Sequence, residues 1–330
     1  MISLYNDLVH VDQGSSDEIY RRSVDLYEEG RVLDALEGAT LLAVSAQSDN
    51  DRMSALLLQA QCFDSLGAEN VELTLYDHVI ENYSIQDDGQ IKLKLVWVHY
   101  NKAIILGRQG KAQEALVEYE RAIALAGTLE KTSEILGASA KSRYNMANLL
   151  NEMQRREEAE SVLSQIISEC SHFDDTELLE QVGKARVSLG MSFMATDKKM
   201  EAIKVFADLL AMPREVLSCL PDLMVDRARV SYAIARAETQ RDETSLNELE
   251  AFYENFKDRS DEEYVELSAF ALFCLADSLE ERGEKARARK MYNLLISEFS
   301  DRGDSLSDFV ELARGYIKAE EEREYLPSRT

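Results

Sequence analysis

Apolar and polar positions alternate with a helical rhythm in residues 96–127, VWVHYNKAIILGRQGKAQEALVEYERAIALAG. In the first half, Ala103 sits four residues after His99 and three before Leu106; in the second, Ala115, Tyr119 and Ala122 recur at helical spacing beyond a break at Gly110. Small residues at set places let two helix backbones approach closely, and larger neighbours at i+3 and i+4 fill the space between turns. The stretch therefore predicts two antiparallel helices joined by a tight Gly-Lys turn.

The pattern repeats along the chain. A small residue of the first helix recurs at Ala60, Ala103, Ala147, Gly190, Ala233 and Ala276, at intervals of 43, 44, 43, 43 and 43 residues. A second-helix position recurs in the same rhythm at Ala115, Ala159, Ala202, Ser245 and Ala288. Two small residues, one in each helix, with an aromatic four after the second, resemble the tetratricopeptide repeat, whose usual period is about 34 residues. The longer period implies longer helices, and residues 144–163, YNMANLLNEMQRREEAESVL, are similar to the long repeats of kinesin light chains. The resemblance implies an all-α solenoid: about seven helix-turn-helix units wound as a right-handed superhelix, with a C-terminal capping helix.

Three prolines, fourteen glycines and a surplus of Ala, Leu and Glu in 330 residues agree with an all-α chain. A solenoid buries a continuous core between neighbouring repeats, so one elongated domain is expected despite the length. Its predicted parts are a polar N-terminal lead (1–14), the solenoid (15–300), a capping helix (301–323) and a loose tail (324–330). Ser15 to Glu18 spell a capping-box-like helix start. The first unit departs from the period, since only 37 residues separate Ser23 from Ala60, and the sixth is degenerate, with Ser245 and Leu249 in place of Ala and an aromatic. Pro213 and Pro221 interrupt helix before that unit.

Charge and cysteine content narrow the partners. The net charge of -25, from 37 basic and 62 acidic side chains, repels phosphate and so disfavours nucleic acid and anionic membrane. Cys62, Cys170, Cys219 and Cys274 are far apart, without the spacing of a metal site, and read as buried thiols. The start lacks a basic, apolar leader and no apolar run is long enough to span a bilayer, so a soluble, cytoplasmic protein is expected.

Catalytic words in the sequence have simpler readings. Gly303-Asp304-Ser305-Leu306 spells a hydrolase motif, but that motif needs a preceding strand and a downstream His, and no His follows it. The overlapping Arg302-Gly303-Asp304 is an integrin-type tripeptide in a chain without a secretion signal; a helix cap at Asp304 or Ser305 accounts for both. His10, His78, His99 and His172 are scattered and read as surface or packing residues. No phosphate-binding glycine loop occurs. The expectation is a non-enzyme without cofactor or metal.

Two polar series mark the first helices, which line the concave side in the family. Asn101 and Asn145, two residues before the small residue, continue as Ser188 and Ser231, with Asn148 and Asn151 close by. Such amides can hydrogen-bond a bound peptide backbone, a use the resemblance implies; equally they can satisfy neighbouring helices. The second series is basic: Lys141-x-Arg143, Lys184-x-Arg186 and Arg227-x-Arg229, with Trp97-x-His99 at the equivalent place. Lys141, Lys184 and Arg227 share the amide face, whereas Arg143, Arg186 and Arg229 are predicted to lay their stems over the core and pair with acids of the preceding helix. Trp97, Tyr100, Asn101, Lys141, Tyr144, Asn145, Asn148, Lys184, Ser188, Arg227 and Ser231 are the candidate partner-binding residues. The function expected is a scaffold or adaptor that holds an extended or acidic segment of another protein in its concave groove. The alternative implied by resemblance is a regulatory peptide sensor that controls an effector through the superhelix.

Overall fold

A computed structural model describes residues 16–300, 302 and 306–325, and these residues form sixteen helices and no strand. They fall into two compact units, Met1–Gln181 and Val182–Thr330, with the division inside one helix. The N-terminal lead, the role of Ser15, the cap at Asp304 or Ser305 and the last five residues lie outside the described residues.

Unit 1 is built from helical hairpins: α1 (Ser16–Glu28) with α2 (Val32–Ser45), α3 (Asp49–Ser65) with α4 (Glu69–Tyr83), α5 (Gly89–Arg108) with α6 (Ala112–Ala126), and α7 (Ser133–Glu152) with α8 (Arg156–Cys170). The division falls inside α9 (Thr176–Ala195). Unit 2 continues with α10 (Lys199–Leu210), a short α11 (Arg214–Leu217), the hairpin of α12 (Asp222–Gln240) and α13 (Glu243–Phe256), that of α14 (Glu262–Glu281) and α15 (Lys285–Phe299), and a final α16 (Ser307–Tyr325). The expected succession of hairpins and closing helix is present. The addition is α11, which turns the Pro213–Pro221 connection into a compact piece with Val216 and Leu220 buried.

The two ends of each hairpin are made differently. Several first helices start on side-chain caps: Ser48 accepts from the amide of Asp51, Asp88 from Gln90 and Ile91, Thr132 from Ile135, and Asp175 from Leu178; among second helices α13 has one too, Asp242 accepting from Thr244. Second helices follow a residue in the left-handed region, at Gly30, Gly67, Gly110, Gln154, Asp197, Arg241 and Gly283. At six of these a paired backbone closure satisfies the carbonyls of the outgoing helix, as in Gly110 N to Gly107 O and Lys111 N to Leu106 O, 2.9 Å each. The turn is thus set by backbone geometry, and Gln154, Asp197 and Arg241 adopt it without glycine.

The small-residue positions are the closest contacts. Ala60, Ala103, Ala147 and Ala276 of the first helices and Ala115, Ala159, Ala202, Ser245 and Ala288 of the second are wholly inaccessible, each at 0%. Large partners fill in around them: Tyr76, Tyr119, Phe206 and Tyr292 are all buried, as are the leucines that replace the aromatic, Leu163 and Leu249. At Gly190 there is no room for a methyl, because a Cβ there would lie 2.4 Å from Cε1 of the fully buried Phe206.

Several local expectations change. Arg143 is covered, with only 11% of its side chain exposed, but its acid is Glu169 on the following helix, α8, held by two contacts of 3.2 Å. Arg186 likewise reaches the Asp208 carbonyl on α10. Arg229 does not lie over the core: its side chain is 57% exposed and it pairs at 2.8 Å with Asp226, one turn back on its own helix. The sequence spacing places the arginines on the packing face but does not say which neighbouring helix presents the acid. Cys62 and Cys170 are buried, while Cys219, in the α11 connection, is exposed and Cys274 is half-buried.

His99 is another difference, because it is buried with a carboxylate partner. Its Nδ1 lies 2.6 Å from Glu118 on α6, and Glu118 also receives Lys102 at 3.1 Å and Arg121 at 2.8 Å. Burial by itself would raise the Glu118 carboxyl, but hydrogen bonds and charge from His99 and Lys102 outweigh it and hold it down to about 2.

Two stability tests follow. Gly190→Ala should lower the denaturation midpoint by an amount equivalent to about 1 to 3 kcal/mol of overpacking, and adding Phe206→Leu should return part of it; additive losses would mean that the contact is not shared. Glu118→Gln should cost roughly 1 to 3 kcal/mol at neutral pH. Because the folded carboxyl is held below its ordinary 4.5, its stabilisation is full above that value and is lost as pH falls toward 2. The wild-type and variant denaturation curves should therefore converge across that window, and a gap independent of pH would contradict the assignment.

Candidate functional site

In unit 1, the first-helix face brings part of the predicted residues together. Trp97 and Tyr100 of α5 meet edge to face with ring centroids 5.5 Å apart, and Tyr100 lies 6.2 Å from Tyr119. From α7, the Asn145 amide donates to the Tyr100 hydroxyl at 3.1 Å, and the Lys141 ammonium sits 5.6 Å from the Trp97 ring centre. Lys141 also pairs with Glu177 of α9. Asn101 lies beside the Tyr76 hydroxyl and Asn145 beside that of Tyr119, a phenol that burial pushes up. The amides thus brace neighbouring helices, and the Lys141 charge is shared with a ring and a carboxylate. Trp97, Tyr100, Asn101, Lys141, Tyr144, Asn145 and Asn148 are all half-buried, so the face stays open to solvent while being internally tied.

Unit 2 contains a cleft of about 320 Å³ lined by Met191 of α9, Arg227 and Ser231 of α12, Glu263, Glu266, Leu267 and Phe270 of α14, and Phe309 of α16. These are the helices that lead each hairpin, with α16 in the next leading position. Arg227 and Ser231 both line this cleft, but Ser231 is only 4% exposed and its hydroxyl lies 3.3 Å from the Met191 sulfur. The apolar floor is formed by Leu267, buried, and by Phe270 and Phe309, whose rings are 6.0 Å apart; Met191 is 38% exposed. Lys184 and Ser188 of α9 are half-buried and are not among the lining residues.

The charges around this cleft differ from those around a larger cavity nearby. Arg227, Glu263 and Glu266 enter no ion pair among the described residues. A cavity of about 520 Å³ between α12, α13 and Leu210 carries Asp226, Arg229 and Glu248, but there the polar groups hold one another. Asp226 takes Arg229 and the Tyr264 hydroxyl, and Glu248 takes Arg236. The smaller cleft alone of these two keeps its charges uncompensated.

Glu263, Glu266, Leu267, Met191 and Phe309 carried no repeat signal, but Phe270 had one. The 43-residue register running through Lys141, Lys184 and Arg227 reaches Phe270 in its next step, so the strip is basic in the middle and aromatic at both ends, beginning with Trp97. Among the described residues no group of three or more His, Cys, Asp or Glu is placed to hold a metal, and no helix is long and apolar enough to cross a membrane.

Comparison with known proteins agrees with the hairpin geometry. A family model described as Tetratricopeptide repeat matches residues 270–302, which span most of the α14–α15 hairpin. No curated protein matches the chain in sequence. The crystal structure of the apo form of RapI is similar over 92% of this chain and 86% of its own, at 11% identity and a TM-score of 0.58. The C-terminal part of a TPR repeat-containing protein from Cytophaga hutchinsonii is similar over 88% and 99%, at 13% identity and a TM-score of 0.51. These likenesses show a shared fold. The TPR-like repeats of a Podosopora anserina putative kinesin light chain align with 68% of this chain and 95% of theirs at 14% identity, with a TM-score of 0.45, too low to assign the repeat variety. One hairpin is thus matched directly as a tetratricopeptide repeat, and the helical hairpins before it share the fold of these structures.

Proposed function

We propose that the protein is a non-catalytic interaction module, a scaffold or adaptor that receives an extended segment of another protein on the leading-helix faces. The observation that carries this reading is the unit 2 cleft, where an exposed Arg227 stands beside an apolar floor of Leu267, Phe270 and Phe309. An arginine and two carboxylates left unpaired beside apolar surface are available to a partner that supplies both an apolar side chain and opposite charge.

The basic strip narrows on this view. Lys141 is already engaged by Glu177 and the Trp97 ring, which leaves Arg227 as the principal group for a partner carboxylate. The Trp97, Tyr100, Tyr144, Asn145 and Asn148 face of unit 1 offers rings and amides, suited to the backbone and apolar side chains of an extended segment.

A random-peptide display selection on the full chain, followed by binding measurements on the selected peptides, tests the proposal. Arg227→Glu should weaken them by about two- to tenfold and flatten their salt dependence, whereas Glu201→Lys on the second helix α10 should leave binding unchanged. Selected peptides that ignore Arg227→Glu and are lost in Glu201→Lys would move the site to the other face.

A further inference from the structure

The arrangement of charge around the unit 2 cleft identifies the kind of segment it takes. Arg227 lies on α12, Glu263 and Glu266 lie one turn apart on α14, and the buried Leu267 and half-buried Phe270 and Phe309 form the floor. One wall is therefore positive and the other negative. Several other charges on these helices hold one another: Arg236 with Asp242 and Glu248, Arg282 and Arg287 with Glu243 and Glu284, Lys199 with Asp197 and Glu238. The three charges at the cleft enter no such pair and line an apolar floor, and neither sign alone would complement them.

We infer that the cleft binds a peptide segment of mixed charge, in which an apolar side chain is flanked on one side by a carboxylate and on the other by a basic residue. This rests on the reading of the leading-helix face as a peptide site and adds the class of peptide. Packed helices lie about 8 to 10 Å apart, and an extended chain advances roughly 3.3 Å per residue, so the acidic and basic residues of the segment stand about three positions apart. The apolar side chain between them enters the floor, with the Met191 thioether adapting to its shape. The carboxylate meets Arg227, whose planar fork suits it, and the basic residue meets Glu263 and Glu266 together. A uniformly acidic segment would gain Arg227 and be repelled by the α14 pair, and a uniformly basic one would suffer the reverse. Specificity then comes from what each wall rejects as much as from what it attracts.

Four synthetic nonapeptides with the same central leucine test the inference by fluorescence polarisation with the full chain. One has Asp and Lys three positions apart around the leucine, one has Asp at both places, one has Lys at both and one has Ser at both. The mixed peptide is expected to bind wild type roughly tenfold more tightly than any of the others, the equivalent of about 1.4 kcal/mol. Arg227→Glu should turn the preference to the Lys/Lys peptide, and the double variant Glu263→Lys, Glu266→Lys to the Asp/Asp peptide. These are solvent-facing or half-buried positions, and circular dichroism verifies that each variant keeps its helix content. If all four peptides bind wild type alike, or the order of preference survives both charge reversals, the charge pattern is wrong while the peptide site stands. If none of the four binds even at millimolar concentration, the peptide reading fails and this inference with it.

Discussion

The close approach of two helices at a pair of small side chains is the contact on which everything else in this protein depends. Ala103 and Ala115 share one buried cluster, and Ala147 and Ala159 are likewise wholly inaccessible, so a larger residue at any of these places would force the helices apart. Once that spacing is set, the rings and leucines around it pack at fixed depth, and the leading helices present the same register of residues to one side in hairpin after hairpin. The left-handed turn residue closes each unit without needing a particular side chain, which is why Gln154, Asp197 and Arg241 can stand where glycine stands elsewhere.

This explains how much of the fold can be read from one sequence. A contact that admits only Ala, Gly or Ser leaves a periodic mark, and a mark repeated at about 43 residues locates the hairpins from the second onward, including the degenerate sixth. Features without a periodic cause are not legible in this way. The short α11 arises from the local geometry between Pro213 and Pro221. Which helix supplies the acid for Arg143 or Arg186 depends on how neighbouring helices are offset, and the pairing of His99 with Glu118 joins residues on two helices whose spacing repeats nowhere else.

The candidate site divides along the same line. Arg227 follows from its register, and Phe270 is one further step along it, but Glu263, Glu266 and Phe309 enter from positions that carry no repeat. Sequence register also does not separate available charge from spent charge. Lys141 and Arg227 are equivalent in the repeat, yet one is paired with Glu177 and stacked near Trp97 while the other is unpaired among the described residues. On this account function comes from those uncompensated charges that the fold holds beside apolar surface, on helices packed at the small residues.

The most direct test is a crystal structure of the full chain bound to the mixed-charge nonapeptide. The account predicts an extended peptide crossing from α12 to α14, its leucine on Leu267, Phe270 and Phe309, its carboxylate at Arg227 and its basic residue at Glu263 and Glu266. A peptide seated instead on α10, α13 or α15, or one that leaves Arg227 and both glutamates in solvent, would contradict it.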